Sequence, residues 1–214
     1  MMIFNLIKKD VLIIKKYVLI MLAAAVLIPP FMLWRAPEYP GILGFMLSAI
    51  YCVLILLQYI SLKEYQFPHA AALLCAAPFS RKMMVLSKYI FCISVYVICC
   101  IIYAAETFII PGLGRANTNV FSLMLFVTSV FIGIYLPVQY KLGYEKTKFT
   151  FFVLLMASPI ILPLLIKVLS GVDLSFLISF SPLLIFMAAL AASCIILLLS
   201  VILSVKFYND TDLA

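Results

Sequence analysis

Few side chains in this sequence are equipped for chemistry, and their spacing limits what they can do. Glu106 stands beside Tyr103 and Thr107 inside one apolar run, and Gln58 stands with Tyr51 and Tyr59 inside another. A carboxylate at bilayer depth is unfavourable unless it faces water, a partner or the interface. Glu106 therefore reads either as a group lining a cavity or gate, or as an interfacial carboxylate reaching outward. Tyr51, Gln58, Tyr59, Tyr103 and Glu106 together make the candidate substrate path. No catalytic constellation accompanies them. The single histidine, His69, lies outside the apolar runs, so none is placed to activate a serine within a bilayer, and HExxH is absent. No G-x-x-x-x-G-K-[ST] loop occurs, so nucleotide energy must come from another polypeptide. The six cysteines show no CxxC spacing and have no paired histidines, which argues for small apolar filling and against a metal site.

The elements that must position these residues are set by composition. The chain is 67% hydrophobic and 11% charged, with a mean hydropathy of +1.27, and would expose large apolar patches in water. The bilayer is its solvent, and 214 residues accommodate about six spans of roughly 20 residues with short connections. Apolar runs place them at 17–34, 41–62, 86–110, 120–140, 149–166 and 183–205. The piece 174–180 is too short to cross and reads as a re-entrant or interfacial segment. The expected fold is an all-α integral membrane protein forming one domain over 1–214. Continuous rather than alternating apolar runs argue against a barrel. Pro29-Pro30, Pro159 and Pro163 are expected to kink their helices.

Orientation follows from the basic residues. Lys8, Lys9, Lys15, Lys16, Lys63, Arg81, Lys82, Lys88, Lys141, Lys146, Lys148 and Lys206 fall on one side of such a bundle; Arg35, Arg115 and Lys167 fall on the other. The positive-inside rule then puts both termini in the cytoplasm. A basic ring against anionic lipid accounts for the net charge of +7 without nucleic acid. The Lys-rich start suits a retained first span better than a cleaved signal. Residues 1–16 read as an interfacial amphipathic helix, with Lys8, Lys9, Lys15 and Lys16 on one side and Ile3, Leu6, Ile7, Val11 and Ile14 largely opposite.

The basic insert at 63–85 is the most conspicuous stretch outside the spans. Residues 64–75 are expected to form a short helix, interrupted early by Pro68. Tyr65, Phe67 and His69 at its beginning suit a pocket on a soluble partner; the alternative is a helix lying on the lipid surface. Glu64, Tyr65, Gln66, Phe67, His69, Ser80, Arg81 and Lys82 are the candidate partner-coupling residues.

The same insert carries a resemblance. Ala77-Pro78-Phe79-Ser80-Arg81-Lys82, continuing to Lys88-Tyr89, resembles the signature LP-[IVF]-S-R-K-x-[IV]-V-x-[SA]-K-Y of the ABC-2 type permeases, small bacterial exporter subunits of six spans; the usual Leu is Ala77 here. The opening Leu6-Ile7-Lys8-Lys9-Asp10 is similar to that family as well. So are the stretch from Pro137 through Tyr140-Lys141-Leu142-Gly143-Tyr144-Glu145-Lys146 and the ending Ser204-Val205-Lys206-Phe207-Tyr208. The resemblance implies a type V exporter fold, in which two permease copies, or a copy and a paralogue, work with two cytoplasmic ATPase subunits. Those subunits would bind the ATP and Mg²⁺, while this chain holds no cofactor and is not itself an enzyme. The residues before Ser80-Arg81-Lys82 would be the coupling helix, and an outer re-entrant hairpin would precede the last span. Among such permeases it looks most like exporters of amphipathic cytolytic peptides of the phenol-soluble-modulin type; others remove antimicrobial peptides or antibiotics. The competing class is the membrane substrate-binding module of an energy-coupling uptake system, whose binding residues would cluster in external loops. Those loops are short here, at 35–40, 111–119 and 167–173.

Overall fold

The computed structural model describes residues 2–35, 41–67, 80–113, 118–171 and 182–210. Among them the elements are helical: α1 Met2–Ile13, α2 Lys15–Arg35, α3 Ile42–Gln66, α4 Arg81–Ile109, a 3-10 turn Pro111–Leu113, α5 Thr118–Gly171 and α6 Pro182–Asp210. Five helices, α2 to α6, are long and apolar enough to cross a membrane. They run past the apolar stretches into flanking lysines, because a long basic side chain can lay its stem on apolar surface and keep its head in water.

At 54 residues, α5 would be about 80 Å long if straight, far more than one crossing needs. It is instead a hairpin. Gly143 takes φ 74° and ψ 176° inside it, a left-handed backbone open to glycine. The rings of Tyr135 and Phe151 come within 6.3 Å, although sixteen residues of straight helix would separate them by about 24 Å. The turn falls in the connection 141–148 that the apolar runs 120–140 and 149–166 leave between them, and the helix of the second arm runs on through Pro159 and Pro163. Likewise α2 continues through Pro29 and Pro30. Pro29 lies so close to Gly44 of α3 that a Cβ there would fall 2.6 Å from the Pro29 Cα.

The centre of the bundle is α3, with Phe45, Ile50, Leu54, Leu57 and Ile60 fully buried. Stacking of Tyr17 on Tyr59 and the approach of Cys52 to the Met21 carbonyl run α2 antiparallel to α3. Contacts of Glu64 with Lys88 and of Phe45 with Tyr103 do the same for α4. The first arm of α5 runs parallel to α3, with Phe121 at Phe45 and Tyr135 at Gln58. α6 closes the bundle, its Ser200 and Ser204 hydroxyls meeting Tyr89 of α4 and Ser200 also donating to the Gly133 carbonyl of α5. Large apolar side chains remain outward on α2, α5 and α6, among them Leu19, Phe149 and Leu198; a continuous outward face of this kind suits lipid. The topology gathers Lys9, Lys63, Arg81, Lys82, Lys88, Lys141, Lys146 and Lys206 toward one end, called here the basic end.

At α1 the expected faces change. Leu6, Asp10 and Ile14 form the buried stripe, while Val11 and Leu12 point outward. Asp10 is buried with Lys9 Nζ 3.1 Å from its carboxylate.

Candidate functional site

The basic end is built from the termini of α1, α3, α4 and α6 and the turn of α5. Ser80 begins α4 as its cap: its extended backbone leaves the hydroxyl free to accept from the Met83 amide at 3.3 Å, which satisfies one of the exposed donors of the first turn. Arg81 then donates to the Asn209 carbonyl at 3.2 Å, with Tyr208 O also in reach. A guanidinium on the last carbonyls of α6 satisfies orphan acceptors and meets the negative end of the helix dipole. Lys82 is exposed.

Glu64, Tyr65 and Gln66 form the last turn of α3, not the opening of a separate helix. The spanning helix continues because Phe67 still donates its amide to the Lys63 carbonyl. Glu64 turns inward: Lys88 Nζ lies 2.6 Å from Oε2 and Lys9 Nζ lies 3.7 Å from Oε1. With Asp10 these make four charges, two of each sign, from three helices. Burial pushes the Asp10 carboxyl above its ordinary range, and Lys9 opposes that shift. Lys88 also lies 5.3 Å from the Tyr140 ring centroid, a favourable cation–aromatic contact. Tyr65 turns sideways. Its hydroxyl donates to Glu145 Oε1 at 2.7 Å and its ring stacks on Tyr144 at 5.2 Å. Gln66 accepts from Lys63. Phe67 is the outward aromatic, 58% exposed, with Lys63 over its ring. His69 and the rest of 68–79 lie outside the described residues, as does the piece 174–180.

The five candidate path residues are not gathered into one surface. Tyr59 stacks on Tyr17 of α2, Gln58 accepts from Tyr135 at 2.7 Å, and Tyr51 donates to the Leu155 carbonyl at 3.4 Å. Tyr103 and Glu106 lie near the other end of the bundle. There Tyr103 stacks on Phe45 and donates to the Leu113 carbonyl at 3.3 Å. Glu106 is 7% exposed, and neither carboxylate oxygen has a hydrogen-bond partner among the described residues. Among the described residues, no three His, Cys, Asp or Glu side chains come together as a metal site would need.

Glu64 and Tyr65 stand out in the sequence, but the residues that hold them do not: Lys88, Lys9, Tyr144 and Glu145. A lysine seven residues into a helix that soon becomes wholly apolar was the available signal for Lys88, since such a charge seeks a partner. A family model described as ABC-2 family transporter protein matches residues 5–209. No curated protein and no solved structure matches the chain.

Proposed function

The chain belongs to the ABC-2 transporter family, and from that premise we propose that it is the permease subunit of an ATP-driven exporter. The family consists of membrane transport components that are not enzymes by themselves, and it implies association with an ABC ATPase and often dimerisation. The chain is accordingly a multi-pass membrane permease component of an ABC transporter.

In our reading the basic end faces the cytoplasm of a bacterial cell, both termini included, and the two arms of α5 each cross the bilayer to make six spans. Two permease copies, or a copy and a paralogue, assemble with two ATPase subunits that bind ATP and Mg²⁺. ATP-driven closure displaces the coupling segment 63–85, and the displacement tilts the helices around the substrate path. The observation that carries this reading is the juxtaposition of the end of α3, the start of α4 and the turn of α5 at one basic end.

Amphipathic cytolytic or antimicrobial peptides are the proposed cargo. The ion pairs among the described residues, Lys9–Asp10, Lys9–Glu64 and Lys88–Glu64, lie at the basic end. No described series of charges runs through the bundle, as a proton- or ion-driven carrier would use. Aromatic and amide groups suit a partly apolar peptide better than a small hydrophilic solute. Affinity capture of the full chain in mild detergent tests the assembly: an exporter half brings down an ATPase directly. Capture of a separate membrane scaffold instead would support the uptake-module alternative and overturn the exporter reading.

A further inference from the structure

Tyr65 has the exposure expected of an anchor for a soluble partner, 53%, yet its functional atoms are already committed within the chain. Its hydroxyl donates to Glu145 at 2.7 Å and its ring lies on Tyr144. Both partners sit at the very start of the second arm of α5, immediately after Gly143. The first arm is fastened to α3 separately and deeper, by Tyr135 on Gln58 and by Gln139 on Ser61. The second arm meets α3 through Tyr51 on the Leu155 carbonyl and through the Tyr65 clasp. Between the arms, Gly143 has a positive φ of 74°, with no described residue within 4 Å of where a Cβ would stand. The turn is thus open on the side where a pivot needs room, and its residue is the one type that rotates there without strain.

We propose that Tyr65 is a positioning residue that links the end of α3 to the second arm of α5 through Tyr144 and Glu145, with Gly143 as the pivot between a fixed arm and a driven one. The inference rests on the permease reading, which supplies the force on α3. A push on the last turn of α3 reaches Tyr144 and Glu145 directly. The first arm, held by buried polar contacts, stays with α3, so the arms change their angle at Gly143. Tyr65 then acts inside the chain, and Phe67, which points outward, is left to meet the partner.

A double-mutant cycle in vesicles separates this from a direct anchor. The full chain is reconstituted with its co-purified ATPase, and export of a labelled cationic amphipathic helical peptide is measured per ATP hydrolysed. Tyr65→Ala and Glu145→Ala are each expected to lower that ratio about fivefold, and the double variant no further, as for residues acting through one another. Tyr65→Phe, which keeps the ring on Tyr144, should lie between. ATPase co-purification and thermal stability should be unchanged. Additive losses, or a fall in ATPase co-purification with Tyr65→Ala, would overturn the clasp and make Tyr65 a partner contact. If the wild-type chain brings down no ATPase, the permease reading fails and the clasp with it. If wild type assembles and exports while every variant keeps its ratio, the clasp alone is wrong.

Discussion

Lys88 donates to Glu64 Oε2 at 2.6 Å, joining the start of α4 to the last turn of α3. The pair is asymmetric. The lysine side chain is 8% exposed and the glutamate 30%, so Lys88 depends on Glu64 more than Glu64 depends on it. Glu64→Gln leaves a buried ammonium without its nearest anion and is expected to destabilise the protein by about 3 kcal/mol. Replacing both, Glu64→Leu with Lys88→Met, removes the stranded charge and should unfold closer to wild type. Thermal unfolding in detergent decides it: a single variant as stable as the double would show that the pair is not effectively buried.

Two glycines that share a positive φ should respond differently to the same substitution. Gly41 has φ 77° and ψ −46°, Gly143 φ 74° and ψ 176°, and a sparsely populated backbone of either kind costs a side chain roughly 1–3 kcal/mol. At Gly143 that is the whole effect, because the space is open. At Gly41 a Cβ would also collide with the Tyr103 hydroxyl and the Leu113 carbonyl. Gly41→Ala should therefore lower the unfolding temperature clearly more than Gly143→Ala, and equal shifts would contradict this packing.

Much of this architecture can be read from one sequence because apolar runs report burial and length directly. The runs at 17–34, 41–62, 86–110 and 183–205 each fall within or beside an observed helix. The turn of α5 lies in the connection 141–148 that the runs 120–140 and 149–166 leave between them, but its sharpness rests on Gly143, whose backbone angle composition does not advertise. Pro159 and Pro163, where kinks are expected, lie within continuous helix. Glu64 and Tyr65 were visible as polar residues after a span, but their direction was not. Periodicity tells which face is buried and is silent on which side chain of another helix waits there. Lys9 and Lys88 reach Glu64 from two other helices, and Glu145 reaches Tyr65 from eighty residues away.

Arg81 and Lys82 look alike in sequence and are not alike in place. Arg81 is bound to the last carbonyls of α6, whereas Lys82 is exposed. Arg81 reaches both carbonyls with one terminal nitrogen, Nη1, and a lysine ammonium is one bond shorter, so Arg81→Lys should loosen the end of α6, read as faster amide exchange over 204–209. Lys82→Gln removes about 1 kcal/mol of attraction to an anionic surface and should leave that exchange untouched. Changing both to neutral residues is expected to weaken assembly with the ATPase and to leave topology intact, since the other basic residues remain. Accessibility mapping that found α4 inverted would show instead that the pair sets topology.

Glu106 sets stability against transport at one position. Its carboxylate is buried with both oxygens unpartnered among the described residues, an arrangement that opposes folding. Glu106→Gln keeps the shape and removes the charge, so the folded protein should be as stable as wild type or more so. As a group lining a cavity or gate on the substrate path, the same carboxylate would draw the basic face of a peptide toward the far end of the bundle. The variant should then export cationic amphipathic peptides more slowly and neutral ones at the wild-type rate. The two measurements belong together, unfolding temperature in detergent and peptide export from vesicles with the ATPase bound. A variant that loses stability would mean that Glu106 has a structural partner. Equal export of cationic and neutral peptides would remove it from the path.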